Sequence, residues 1–187
     1  MSHMAETGRI TTAEELFAMV DDDHGYELLH GELHRMSKPG FRHGVITQRL
    51  LVRLGVHVEQ HDLGVVTGKT GYLLGRKPDH LRAPDVAFVC KERLLLEGIP
   101  IRYWPGAPDF CAEVVSPNDT YAYMQEKACD WIRYGARLVA VVEPDRRRVV
   151  VHRSDTDVQI LGEDGVLEGG DVVPGFELSI RELFDGS

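Results

Sequence analysis

Three short stretches in the middle of the sequence are apolar almost without interruption: Ala83-Pro84-Asp85-Val86-Ala87-Phe88-Val89-Cys90, Phe110-Cys111-Ala112-Glu113-Val114-Val115 and Arg137-Leu138-Val139-Ala140-Val141-Val142-Glu143. They are too short for buried helices and rich in β-branched and aromatic residues, so each reads as a strand buried in a sheet. Pro84 is compatible because the first residue of a strand need not donate to the ladder. Strands of this kind need amphipathic elements to cover them, and the flanking sequence supplies these.

Between Phe41 and Gln60, Ile46, Leu50, Leu54 and Val58 recur at every fourth position and Leu51 widens the stripe, which predicts a long helix. Its other side carries Arg42, Arg49 and Arg53 along one flank, either a solvated face or a stripe turned toward phosphate. Ser116-Pro117-Asn118-Asp119-Thr120 is a turn and cap signal opening a second helix over 121–134, ended by Gly135. Earlier, Thr11-Thr12-Ala13-Glu14-Glu15 starts a short helix that Asp21-Asp22-Asp23-His24-Gly25 ends, and 26–29 and 32–36 form an antiparallel hairpin turning at His30-Gly31. Residues 65–74 read as one long strand weakened by two glycines, 75–81 as a polar turn, and 92–105 as a short helical turn and loop able to cover a cleft. Pro144-Asp145-Arg146 turns the third apolar strand into a hairpin partner over 147–153, and the tail gives short strands and a final turn. The order mixes antiparallel neighbours with one crossover helix. It predicts an α/β fold with a mixed β-sheet flanked by helices and an N-terminal β-hairpin extension, rather than a doubly wound parallel sheet.

With 187 residues, 43% of them hydrophobic, the chain fits one domain, spanning residues 5–187 once Met1-Ser2-His3-Met4 is set aside as an expression-vector scar. No apolar run approaches the roughly 18 residues of a membrane span, and no basic segment precedes an apolar one at the N-terminus, so a soluble cytoplasmic protein with no membrane partner is expected. Cys90, Cys111 and Cys129 lie inside apolar or helical runs without C-x-x-C spacing, and read as buried thiols in a reducing compartment. The net charge of −9 argues against a polyanionic partner until its distribution is considered. Residues 1–34 hold one Lys/Arg against eight Asp/Glu, residues 35–102 twelve against six, and residues 103–187 eight against sixteen. A locally basic middle can therefore meet phosphate.

Asp85 opens one buried strand and Glu113 sits near the end of another. A buried carboxylate costs several kcal/mol unless compensated. Two on adjacent strands would repel each other, and a divalent cation relieves that repulsion with hard oxygen ligands. A solvated or arginine-paired carboxylate is the plainer reading of each acid alone. Other motifs point nowhere: Asp21-Asp22-Asp23-His24-Gly25 lacks the spacing of a calcium loop, Gly68 and Gly71 lack the ending of a phosphate loop, and Ser116 has no histidine partner in line. His57 and His61, at i and i+4, are a weak metal pair.

Tyr26-Glu27-Leu28 with Gly31-Glu32-Leu33, Phe41-Arg42-His43-Gly44, Arg82-Ala83-Pro84-Asp85-Val86-Ala87-Phe88-Val89, Glu113-Val114-Val115-Ser116-Pro117-Asn118-Asp119, Glu126-Lys127 and Gly170-Asp171-Val172-Val173-Pro174-Gly175-Phe176 together resemble the Uma2 family of restriction endonucleases, in the PD-(D/E)XK nuclease superfamily. The resemblance runs from about Thr11 to Phe184. It implies a restriction-endonuclease-like core of helix, three strands, helix and strand, with Asp85 and Glu113 as metal-binding acids and Glu27 as a further metal or water ligand. The superfamily's lysine two residues after the second acid is replaced by Val115, and the resemblance moves that amine to Lys127 on the following helix, where a plain surface lysine paired with Glu126 or Asp130 is the alternative. His43 would contact a phosphate or hydrogen-bond an acid, and Arg42, Arg49 and Arg53 would position the nucleic-acid backbone. The function implied is magnesium-dependent endonuclease cleavage of DNA, with manganese able to substitute. A catalytically silent nuclease fold that binds nucleic acid or a protein, and a small phosphoester hydrolase, are the competing readings. A homodimer is expected, since symmetric dimers are the commonest oligomer.

Overall fold

A computed structural model of the chain describes residues 11–19 and 25–186. Met1-Ser2-His3-Met4 and the acidic run Asp21-Asp22-Asp23-His24 lie outside the described residues. Thr12 accepts from the Glu15 N–H while the Glu15 carboxylate takes the Thr12 N–H, a reciprocal cap that starts α1 (Ala13–Ala18). Strands β1 (Tyr26–Leu29) and β2 (Glu32–Arg35) form the expected antiparallel hairpin. Helix α2 (Phe41–Gln60) buries Ile46, Leu50, Leu54 and Val58, the stripe read from their spacing.

Then follow β3 (Gly64–Thr67), β4 (Tyr72–Gly75), β5 (His80–Arg82), β6 (Val86–Cys90), α3 (Lys91–Glu97), β7 (Trp104–Pro105), β8 (Phe110–Val114), α4 (Tyr121–Arg133) and β9 (Leu138–Glu143). The chain closes with β10 (Arg148–His152), β11 (Val158–Leu161), β12 (Val166–Glu168), β13 (Glu177–Ser179) and α5 (Ile180–Phe184). The main sheet has six strands in the order β11-β10-β9-β8-β6-β3, and a second has five in the order β2-β1-β5-β4-β7. Strand β8 lies between antiparallel β6 and parallel β9, with α4 as the crossover. One face of the six-stranded sheet packs Val86, Phe88, Ala112 and Val142 against α2, α5 and the Phe176 segment. The other packs Val89, Cys111 and Val141 against Met124 and Trp131 of α4 and against Tyr72 and Trp104 of the five-stranded sheet.

Two expectations fail here. Residues 65–74 are not one strand: β3 belongs to the six-stranded sheet and β4 to the five-stranded one. Between them Lys69 takes a left-handed φ of +51° and its N–H bonds the Pro84 carbonyl at 3.0 Å, so the glycine-flanked turn moves the chain from sheet to sheet. Gly71 is needed at that turn because a Cβ there would lie 2.3 Å from the Tyr103 ring. The supposed polar turn over 75–81 contains the start of β5, whose His80 and Arg82 are buried although polar. Local pattern misses such a strand, because ionic and ring contacts made elsewhere in the fold bury it. Cys111 is buried, Cys90 and Cys129 only partly, and all three are free. Among the described residues no helix is long and apolar enough to cross a membrane.

Candidate active site

Val86 lies opposite Ala112 in the antiparallel β6–β8 pair. Continuing that register by one residue sets Asp85 across from Glu113, and facing residues of such a pair share one face with Cα atoms about 5 Å apart. Asp85 is fixed from two sides. Its Oδ2 accepts the Val114 N–H at 2.8 Å and lies 3.0 Å from Nε2 of His43, in the first turn of α2. The other ring nitrogen of His43 lies 3.3 Å from the Thr47 hydroxyl, one helical turn on.

Glu113 is gripped by α4. Lys127 Nζ stands 3.0 Å from Oε2, and the Trp131 indole N–H donates to Oε1 at 2.8 Å. The i, i+4 spacing of Lys127 and Trp131 places both on the face of α4 that meets the strand end. Lys127 is only 3% exposed, so the surface-lysine alternative does not describe it. Its ammonium also lies 3.3 Å from Oε1 of Glu27. Glu27 Oε1 accepts the Ala83 N–H at 3.0 Å, and Oε2 accepts from Arg82 at 3.2 Å. The structure thus holds Glu27 behind Lys127, and it is not among the residues lining the cleft.

That cleft, of about 440 Å³, is lined by His43, Asp85, Glu113 and Lys127 together with Lys38 and Lys69. The three arginines of α2 do not reach it. Arg42 binds Asp145 at 2.8 Å and the Pro144 carbonyl at 2.6 Å, Arg49 donates to the Leu183 carbonyl at 3.0 Å, and Arg53 lies 3.8 Å from Glu182. Helical spacing put them correctly on one flank, but that flank faces the C-terminal part of the chain rather than the acids. Nor do His57 and His61 form a metal pair: their rings pack at 4.4 Å and His57 Nε2 is taken by the Pro174 carbonyl. Sequence reasoning missed Arg82, Lys38, Lys69 and the donor role of Trp131. Only Arg82 carried a local signal, a guanidinium directly before Ala83-Pro84-Asp85.

The electrostatics of the acids diverge. Burial alone would raise the Asp85 carboxyl, but the hydrogen bond and charge of His43, the Val114 N–H and Lys127 outweigh it and hold Asp85 below its ordinary value. For Glu113 burial dominates; Lys127 opposes it, Asp85 and Glu27 add to it, and the carboxyl is pushed up to about 7. Burial would lower the Lys127 ammonium, yet Glu113 and Glu27 raise it above its ordinary value. Four buried carboxyl groups, Glu27, Asp85, Glu113 and Asp130, stand against the buried Arg82 and Lys127, with His43 beside Asp85. A hard divalent ion fits that surplus. Asp85 and Glu113 face each other at one cleft, each with lone pairs to spare, and magnesium needs only one or two carboxylates, completing its shell with water or substrate oxygens. Among the described residues no group of three or more His, Cys, Asp or Glu side chains is arranged to hold a metal ion.

A mixed sheet flanked by helices, with paired acids on adjacent strands and an amine from the crossover helix, defines a restriction-endonuclease-like fold. It superposes on the crystal structure of "a putative nuclease belonging to DUF820" from Anabaena variabilis ATCC 29413 with a TM-score of 0.80, at 19% identity over 92% of this chain and 97% of that one. The chain belongs to the Uma2 family, described as "Putative restriction endonuclease", which matches residues 13–181. No curated protein matches the chain.

Proposed function

We propose that this protein is a magnesium-dependent nuclease that hydrolyses DNA phosphodiester bonds at the cleft containing Asp85 and Glu113. One observation carries the reading: the β6–β8 register sets Asp85, just before β6, opposite Glu113, both acids line one cleft, and the Glu113 carboxyl, pushed up to about 7 chiefly by burial, stands 3.0 Å from the buried Lys127 ammonium. Asp85 and Glu113 would hold the ion, with manganese able to substitute. When bound, it supplies Lewis acidity toward a phosphate oxygen and acidifies a coordinated water.

The chain's own groups do the rest. The Val114 N–H and His43 fix the Asp85 carboxylate, and Trp131 fixes that of Glu113, so neither acid has to reorganise during reaction. Lys127, pinned beside Glu113, would orient the attacking water or stabilise charge growing on the phosphoryl oxygens. Lys38 and Lys69 offer positive charge to flanking phosphates, a contact that positions the strand without reading bases. A symmetric homodimer would present one such cleft to each strand of a duplex.

The test is cleavage of supercoiled plasmid with magnesium, manganese or a chelator. Wild-type protein is expected to nick the plasmid only with metal, and Asp85→Ala and Glu113→Ala to lose nicking; equal activity in all three proteins would sink the reading. The net charge of −9 and the engagement of Arg42, Arg49 and Arg53 elsewhere favour a second reading, a hydrolase of small phosphoesters. Turnover of a small aryl phosphodiester at a rate matching that on DNA would select it.

A further inference from the structure

From Glu113 and Lys127, which line the cleft, a set of charges runs back into the interior through Glu27, Arg82 and Asp130, which do not. Asp130, Arg82, Glu27, Lys127 and Glu113 alternate in sign, with successive gaps of 2.6, 3.2, 3.3 and 3.0 Å. None is more than 7% exposed. We propose that Glu27 and Arg82 are positioning residues which hold the Lys127 ammonium against Glu113, and that Glu27 is not a ligand of the metal. The proposal rests on the site reading above and assigns the N-terminal hairpin a part in it.

Three observations support the assignment. First, both Glu27 oxygens are committed: Oε1 to the Ala83 N–H and Lys127, Oε2 to Arg82. With no surface exposed and no face on the cleft, Glu27 could turn to an ion only by leaving Arg82 and Lys127 uncompensated in the interior. Second, the sheet register builds the Glu27–Arg82 contact. Leu28 pairs with Leu81 across β1 and β5, so the next position sets Glu27 across from Arg82, as neighbours on one face. The Glu27–Ala83 bond then ties this hairpin to the segment that leads into Asp85. Third, the set closes on itself through α4. Lys127 and Asp130 are one helical turn apart, and Arg82 joins Glu27 to Asp130, so the helix is held at two points of one ring of charge.

A lysine needs such support because its four-carbon stem is flexible and its ammonium is a point charge without preferred direction. A single carboxylate beside it would leave the amine free to swing around Glu113. A second carboxylate behind it, fixed by a guanidinium, confines it to the line between the two.

Manganese affinity and turnover separate the two roles of Glu27. Glu27→Gln should leave the manganese dissociation constant within about threefold of wild type while kcat falls about 10- to 100-fold, the loss typical of a removed outer partner. Asp85→Asn should abolish manganese binding. Glu27→Asp, which keeps the charge but withdraws it, should fall between wild type and Glu27→Gln in kcat. A loss of manganese affinity in Glu27→Gln equal to that in Asp85→Asn, or an unchanged kcat, overturns the proposal.

A thermal-unfolding cycle of Glu27→Gln, Lys127→Met and the double variant needs no metal or activity. The double variant is expected to melt no lower than the worse single one, because each single change leaves the other member of the Glu27–Lys127 pair without its partner and the double removes both members; additive losses would also overturn the proposal. If Glu27→Gln does not fold, the charge-removing Glu27→Met with Lys127→Met completes the same cycle. Should wild-type protein bind no manganese, the nuclease reading fails while the cycle still decides whether Glu27 holds Lys127.

Discussion

Raising the pH from about 5 to about 8 without divalent ions should destabilise this protein through Glu113, and Glu113→Gln should remove that slope. The carboxyl titrates near 7 in the folded chain, against 4.5 for an ordinary glutamate. Because the folded value is the higher one, the contribution is fully present below 4.5 and is lost as the pH rises through 7. At about 1.4 kcal/mol for each pH unit of displacement, the swing is about 3 kcal/mol. For a chain of this size that corresponds to a change in Tm of about 6–12 °C. Burial and the negative charges of Asp85 and Glu27 cause the effect, so an ion held by Asp85 and Glu113 should reverse it: at pH about 8, manganese should raise the Tm of the wild type and not that of Glu113→Gln. Scanning calorimetry of both proteins across this range reads the difference directly. Parallel curves for the two proteins, or an equal manganese effect on both, would refute the reasoning.

Other consequences are simpler to measure. Trp131→Phe removes the indole donor to Glu113 and should cost about 1.5–3 kcal/mol in urea unfolding at pH about 8, the range for a lost hydrogen bond to a charged group. Lys127→Met should slow plasmid nicking by about 10²–10³-fold while manganese still binds, as seen by calorimetric titration. Arg49→Ala and Arg53→Ala should leave DNA affinity within about twofold of wild type, whereas Lys38→Ala and Lys69→Ala should weaken it and each lower the salt dependence by about one phosphate contact. Asp85 behaves oppositely to Glu113: its carboxyl is held low, so its contribution is present above the ordinary aspartate value and is lost on acidification, and Asp85→Asn should flatten the acid limb of the stability curve.

Periodicity served this chain well wherever one period ruled a whole element. The Ile46, Leu50, Leu54 and Val58 stripe and the apolar runs of β6, β8 and β9 gave helix and strands with bounds within a residue or three. It failed where burial is achieved by charge. His80 and Arg82 look like turn residues in sequence, yet the stacking of His80 on Tyr134 and the bonds of Arg82 to Glu27 and Asp130 bury them in a strand. The same limit governed the site. Asp85 and Glu113 stood out because a carboxylate inside an apolar run is costly on its face. Lys127 was reached through family resemblance alone, since nothing in its helical neighbours marks it as buried. The direction of Arg42, Arg49 and Arg53 was illegible, because a helix flank is defined by spacing but its partner is set by the packing of α5 and the Pro144 turn.

The central claim is that Asp85 and Glu113 share one cation. Anomalous scattering from a crystal of this protein soaked in manganese tests it most directly. The account expects one strong peak within about 2.2 Å of an oxygen from each carboxylate. A peak bound elsewhere, or none beside these two acids at saturating manganese, would contradict it.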